Sequence, residues 1–90
     1  MDLFDSKKAK LKEIRDYLSI NKDMVEKEYK INVPSNVSTD MSATSLSAWI
    51  QVYTSKILMA KNVEECAELK DLIKDFIAIE REINNIEIKI

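Results

Sequence analysis

The chain has 90 residues and a net charge of −2, with 46% apolar and 33% charged residues. This size suits one domain, and the abundance of apolar residues excludes a disordered chain. Glycine is absent and proline occurs once, so the usual residues of tight β-turns are missing. We therefore expect residues 1–90 to form a single all-α domain. The predicted architecture is a three-helix bundle, or a helical hairpin, with a long C-terminal helix.

The first predicted helix extends from about residue 3 to about residue 29. Asp2 precedes it at the position of an N-cap, where a carboxylate accepts hydrogen bonds from free backbone N–H groups. Apolar residues at helical spacing predict one buried seam along this helix. The seam comprises Leu11, Ile14, Tyr17, Leu18, Met24 and Val25.

A basic run lies within the same helix. Residues 7–15 contain one acid, Glu13, and five cations. The cations are Lys7, Lys8, Lys10, Lys12 and Arg15. Five cations on two helical turns can neutralise several phosphates, so contact with nucleic acid is one interpretation. The alternatives are a solvated helix face and a face that meets an acidic partner.

A second helix is predicted over residues 44–61, after a connection over residues 30–43 that contains Pro34 and many small polar residues. Its main apolar face comprises Leu46, Trp49, Ile50, Tyr53, Ile57 and Ala60. Tryptophan and tyrosine are enriched at binding hot spots, so Trp49 and Tyr53 are candidates for a partner interface as well as for the core.

The other side of the second helix is apolar too. Ala48, Val52 and Met59 lie there, and Lys56 is the only charged residue within residues 44–60. A helix that is apolar nearly all round must be covered nearly all round. Either two neighbouring helices of the bundle cover this side, or part of it is an interface.

The third predicted helix covers residues 63–88. From Leu69 to the end of the chain, apolar residues recur three or four positions apart, which is typical of a helix that lies along another helix. These residues are Leu69, Leu72, Phe76, Ile79, Ile83, Ile86 and Ile90. Residues 86–90 also alternate between apolar and polar, as do residues 29–33, so a short β-pair of these two segments is an alternative.

Charge predicts the neighbour of the third helix. Residues 64–87 contain eight acids and three cations. A parallel pair of these helices would oppose Asp75 to Glu80 and Glu82 to Glu87, so a simple parallel homodimer through this helix is disfavoured. The basic first helix is the expected neighbour within the chain.

The third helix is longer than a short bundle can cover, so we expect residues 83–90 to be exposed apolar surface. A second copy of the chain or another protein would cover this surface. The predicted interface for a protein partner or a homo-oligomer comprises Trp49, Tyr53, Phe76, Ile79, Ile83, Ile86 and Ile90.

Few residues of this chain are suited to chemistry. Histidine is absent, and Cys66 is the only cysteine, which excludes a zinc site and an internal disulfide. No glycine-rich loop exists to hold a phosphate. We therefore expect no catalytic residue, no cofactor and no metal, and a protein that is not an enzyme. The lone cysteine and an N-terminus without signal features predict a cytoplasmic protein, and the uncharged residues 41–55 are too few to span a membrane.

The sequence thus predicts a small non-enzymatic helical protein that acts through protein–protein contacts, as an assembly, adaptor or inhibitor subunit. Its richness in Ile, Lys and Asn is typical of AT-rich genomes and suggests an origin in a phage or another mobile element. One alternative is a nucleic-acid-binding regulator that uses residues 7–15. A second alternative is an immunity-type protein at a membrane target, which the acidic third helix disfavours.

Overall fold

The computed structural model describes residues 2–34, 42–60 and 63–89, and within these the side chains of all but residues 63–65 and 87–89. The described residues form four α-helices and no β-strand. The helices are α1 (Leu3–Ile20), α2 (Lys22–Tyr29), α3 (Ala43–Met59) and α4 (Val63–Lys89). The predicted all-α fold is confirmed.

The segment predicted as one helix over residues 3–29 is divided at Asn21. The backbone N–H and the side-chain Nδ2 of Asn21 both donate to the carbonyl oxygen of Tyr17, at 2.9 Å and 3.1 Å. Asparagine is a poor helix former because its side chain competes for backbone partners in this way. The chain therefore bends at this residue, and α2 begins as a separate short helix.

The helix ends are closed by specific groups. Asp2 caps α1 as predicted, since its Oδ1 accepts a hydrogen bond from the N–H of Asp5 at 2.8 Å. α2 is followed by Lys30, whose φ of 55° is left-handed, a conformation usually given to glycine, which this chain lacks. Beyond α3, the carbonyl of Ala60 accepts a hydrogen bond from the ammonium of Lys70, a buried lysine of α4. A cation at this place also stabilises the negative end of the α3 dipole.

The alternating residues 29–33 pack against the helices without pairing as a strand. The buried residues of this segment are Tyr29, Ile31 and Val33. Residues 31–34 have no regular secondary structure, and residues 86–89 continue α4. The alternative β-pair is thus absent from the described residues, while Ile90 lies outside them. The alternation in residues 29–33 arises because every second side chain is buried against the helices, and not because this segment pairs with another strand.

α1 and α4 pack side by side and run antiparallel. Lys7 Nζ lies 2.8 Å from Glu80 Oε1, and Lys10 Nζ lies 3.3 Å from Asp75 Oδ2. Moving towards the end of α1 therefore means moving towards the beginning of α4. The basic first helix is thus the neighbour of the acidic last helix, as their charges predict.

α3 packs against both α1 and α4. Ser47, near its start, has its Oγ 3.5 Å from Oε1 of Glu80, whereas Ala60, just past its end, contacts Lys70 near the beginning of α4, so α3 also runs antiparallel to α4. The largest fully buried side chains between these three helices are Ile14, Leu18, Leu46, Ile50, Ile57, Leu69, Ile73 and Phe76. On the opposite side of the α1–α4 pair, shallow depressions are lined only by residues of these two helices and by Asn21, so no further described helix fills them.

Candidate functional sites

The structure divides the basic run of α1 into two groups. Lys7 and Lys10 face α4, where they contact Glu80 and Asp75, and the Lys7 ammonium also lies 5.9 Å from the centre of the Phe76 ring. The remaining cations lie on another side of α1 and are Lys8, Lys12 and Arg15. At least two of the five cations predicted for contact with nucleic acid, Lys7 and Lys10, are therefore already engaged within the protein.

The apolar residues spaced three or four positions apart along α4, which we call the isoleucine ladder, are buried on a different stripe from the one that their spacing suggests. The buried residues are Leu69, Phe76 and Ile83, together with Ile73 beside them. The less buried residues lie seven positions apart and are Leu72, Ile79 and Ile86. α4 packs against two helices instead of one, so its buried stripe is wider and turned towards α3.

Three residues predicted for a partner interface lie in the interior of the chain itself. These are Trp49, Phe76 and Ile83, each less than a tenth exposed. The expectation that residues 83–90 project beyond the bundle does not hold for Ile83. Because Lys7 of α1 already lies beside Glu80, the antiparallel register carries the first turn of α1 alongside Ile83.

The other predicted interface residues lie nearer the surface. Ile79 is half-buried, and Ile86 is exposed. Tyr53 is half-buried, with its ring centre 5.3 Å from that of Trp49. Ile90 lies outside the described residues. Of the predicted interface residues of α4, Ile79 and Ile86 thus remain available to a partner.

The uncovered side of the α1–α4 pair carries two shallow depressions that meet at Glu13, and together we call them the α1/α4 groove. Its floor is mainly apolar and comprises Ala9, Tyr17, Leu72, Ala78 and Ile79, with the polar residues Ser6 and Asn21 beside them. Ile20 stands at one end with 81% of its surface exposed. The rim is acidic and comprises Glu13, Asp16, Glu68 and Asp75. An apolar floor between rows of carboxylates is the main feature of this side of the protein.

Lys10 is the cation of the α1/α4 groove. Its Nζ lies 2.7 Å from Oε2 of Glu13 and 3.3 Å from Oδ2 of Asp75. The hydrogen bond to Glu13, with a further contribution from Asp75, raises the pKa of Lys10 above its ordinary value. One ammonium thus lies between two of the four rim carboxylates, and the rim keeps an excess of negative charge.

A second uncovered apolar surface lies on the outer side of α3. Val52 is 69% exposed and Met59 is 80% exposed, and Ala48 is exposed on the same side. Of the two alternatives for this side of the helix, burial by neighbouring helices does not occur within the described residues. The outer side of α3 is therefore a candidate interface.

The thiol of Cys66 lies in the core. Cys66 is fully buried, and its Sγ lies 3.4 Å from Sδ of Met24. The hydroxyl of Tyr29 donates to the carbonyl oxygen of Cys66 at 3.2 Å, and burial raises the pKa of Tyr29. Reactive cysteines are partly exposed, so the enclosure of this thiol gives it the surroundings of a structural residue.

Ile20 is a surface residue that sequence reasoning missed. It falls outside the regular three-and-four spacing of the first apolar seam, so no face was assigned to it. The sequence signal for its exposure was its position. Ile20 lies off the apolar seam and directly precedes Asn21, a residue that favours the end of a helix, and α1 does end at Ile20. There it extends the apolar floor of the α1/α4 groove.

Comparisons of this chain with known protein families, with curated proteins and with solved structures found no match. Within the described part of the chain, no helix combines the length and the apolar character needed to cross a membrane. Nor do three or more His, Cys, Asp or Glu side chains come together there in a way that could hold a metal ion. The α1/α4 groove and the outer side of α3 remain as the candidate functional surfaces.

Proposed function

We propose that this protein is a non-enzymatic binding protein of the cytoplasm that holds a basic amphipathic helix of another protein in the α1/α4 groove. It would serve as an adaptor, inhibitor or assembly subunit. The observation that carries this proposal is the combination of an apolar floor with an acidic rim on the open side of the α1–α4 pair. A buried, unpaired thiol at Cys66 suits a reducing compartment.

The apolar floor supports a helix as the ligand. A helix laid between α1 and α4 would add a further helix to the bundle, which is the arrangement in which such grooves are commonly filled. Full burial of an isoleucine or leucine gains about 1.5–3 kcal/mol relative to exposure. Ile20 is mostly exposed, and Leu72 and Ile79 are half-buried, so all three have apolar surface left to bury.

The acidic rim favours a basic partner helix as the ligand, rather than the same groove of a second copy of the chain. Glu13, Asp16, Glu68 and Asp75 contribute four carboxylates, against the single ammonium of Lys10. Two such grooves placed face to face would oppose acid to acid. Lysine or arginine residues flanking the apolar stripe of a partner helix would instead find complementary charge, which mainly gives specificity and faster association.

The test uses two synthetic peptides and isothermal titration calorimetry on the full chain. Both peptides have about 18 residues and leucines at three-and-four spacing, but one carries lysines on its flanks and the other carries glutamates. We expect the lysine peptide to bind, with an affinity that falls as salt rises from about 50 mM to about 500 mM. We expect no binding of the glutamate peptide. Equal binding of both peptides, or of neither, would contradict the proposal.

Matched variants assign the binding to the groove. Ile20→Ser removes an exposed apolar side chain at the groove, and Val52→Ser does the same on α3. Glu68→Lys reverses a rim charge, and Asp71→Lys reverses an exposed charge of α4 outside the groove. The two groove variants should weaken binding of the lysine peptide at least several-fold, while the two controls should leave it unchanged. The reverse pattern would place the binding site elsewhere.

A further inference from the structure

The outer side of α3 carries a regular row of small and large side chains. Ala48, Val52, Ser55 and Met59 follow one another at intervals of four, three and four residues, and all are exposed. This spacing places them in one line along the helix, opposite the buried residues Leu46, Trp49, Ile50 and Ile57. We call this line the α3 seam.

The α3 seam lacks the charges that normally cover a solvent-exposed helix face. α3 contains no acidic residue, and its single cation, Lys56, lies beside the seam. The other long helices carry many charges on their exposed sides. In a chain of net charge −2, the α3 seam is the surface through which two copies can approach with the least repulsion between carboxylates.

The order of sizes along the α3 seam fits its own antiparallel copy. When the seam is paired with a copy running in the opposite direction, Met59 faces Ala48 of the second copy, and Val52 faces Ser55. Each large side chain then meets a small one, which is the arrangement that fills a helix–helix contact. A parallel pairing would put methionine against methionine and alanine against alanine, leaving one layer crowded and another empty.

From this self-complementarity we infer that a second copy of the chain covers the α3 seam, and that the two α3 helices pack antiparallel about a two-fold axis. A two-fold axis closes the assembly at a dimer, because both copies use the same surface. The inference is independent of the α1/α4 groove, which stays open in such a dimer. The protein would then present two grooves, one on each copy.

The size of the seam predicts a weak dimer. α3 has 17 residues and is about 25 Å long, so one pair of such helices buries less than the roughly 1,200 Å² of the smallest stable interfaces. We therefore expect dissociation in the micromolar to millimolar range. The dimer should form at high protein concentration and separate on dilution.

Sedimentation equilibrium of the full chain over about 10 μM to about 1 mM tests this inference. The expected result is an average mass that rises from that of the monomer towards twice that value. Val52→Asp places a carboxylate on the seam and should hold the mass at the monomer value throughout. Ile20→Asp makes the same kind of change on an exposed apolar residue of the groove and should leave the rise unchanged. A monomer at every concentration, or a dimer that Val52→Asp leaves intact, would overturn the inference.

Cysteine cross-linking decides the direction of the two helices. In the antiparallel dimer, the double variant Ala48→Cys, Met59→Cys should form a disulfide-linked dimer on mild oxidation. The single variant Met59→Cys should not, because two copies of residue 59 then lie about 16 Å apart along the axis. The unchanged chain is the control, since Cys66 is buried. Efficient linking of the single variant would overturn the antiparallel arrangement.

Discussion

The indole Nε1 of Trp49 donates a hydrogen bond to the backbone carbonyl of Asn32, at a distance of 3.0 Å. This bond joins the middle of α3 to the irregular segment that follows α2. On either side of Asn32, Ile31 and Val33 are buried against the helices. The Trp49 side chain therefore holds the segment around Asn32 against α3 from within the core. Tryptophan is also a residue type that is common at partner interfaces, but here it is a core residue.

Trp49 should behave as a buried tryptophan in the isolated protein. We expect fluorescence emission shifted to the blue and weak quenching by iodide. Trp49→Ala should lower the free energy of unfolding by about 3–5 kcal/mol, as large core truncations do. Trp49→Phe keeps most of the ring and loses the hydrogen bond, so its cost should be smaller. Emission like that of tryptophan in water would contradict this placement and return Trp49 to the surface.

Lys30 should be replaceable by glycine with a gain in stability. A left-handed backbone costs a residue with a Cβ about 1–2 kcal/mol, and glycine avoids this cost. Glycine also has greater freedom in the unfolded chain, which offsets part of the gain. We expect Lys30→Gly to raise the free energy of unfolding by roughly 1 kcal/mol in urea denaturation. Lys30→Ala is the control and should give no such gain. A loss of stability in the glycine variant would show that the lysine side chain has a role of its own.

Stability should fall in strongly alkaline solution because of the buried phenols. Burial raises the pKa of Tyr29, with a further contribution from its hydrogen bond at Cys66, and burial also raises the pKa of Tyr17. In the unfolded chain a phenol loses its proton near pH 10. The folded state therefore holds more protons above that pH, and its stability decreases as pH rises.

The tyrosine effect is measured by urea denaturation between pH 7 and about pH 11. The free energy of unfolding should stay level up to about pH 9 and then decline. Tyr29→Phe should be less stable at neutral pH, because it loses the hydrogen bond to Cys66, but its decline at high pH should be shallower. Lys10, whose pKa is also raised, contributes in the same direction at the alkaline end. An identical decline in Tyr29→Phe would mean that Tyr29 is not the group responsible.

Replacement of Cys66 should leave function intact. The thiol is enclosed beside Met24, so Cys66→Ala removes core packing and should cost about 1–2 kcal/mol of stability. Binding of the lysine peptide by the folded variant should match that of the unchanged protein. Loss of binding with the fold retained, checked by circular dichroism, would speak against the non-enzymatic interpretation of this residue.

The long helices and most of their buried residues follow from apolar spacing in the sequence. That spacing does not tell how many neighbours a helix has, and for this reason the buried stripe of α4 includes Ile73, while Ile79 and Ile86 lie nearer the surface. The bend at Asn21 depends on one side chain competing for one carbonyl, which leaves only a weak signal in the pattern.

The α1/α4 groove could not be predicted because its rim combines residues far apart in the chain. Counting charge by segment makes the first helix basic, yet this helix contributes Glu13 and Asp16 to an acidic surface. Its cation Lys7 contacts Glu80 outside the groove, and Lys10, which lies in the groove, pairs with only two of the rim carboxylates, Glu13 and Asp75. The charge of a surface depends on which side of each helix forms that surface. A net charge summed over a whole helix does not show how its charged residues are divided between its sides.

Amide chemical-shift mapping tests the central claim most directly. The full chain, labelled with ¹⁵N, is titrated with the lysine-flanked amphipathic peptide, and the glutamate-flanked peptide serves as the control. The proposal predicts that shifts concentrate along the α1/α4 groove, around Glu13, Ile20, Leu72 and Ile79, while the amides around Val52 on the outer side of α3 stay in place. Shifts confined to α3, or shifts of the same size with both peptides, would contradict it.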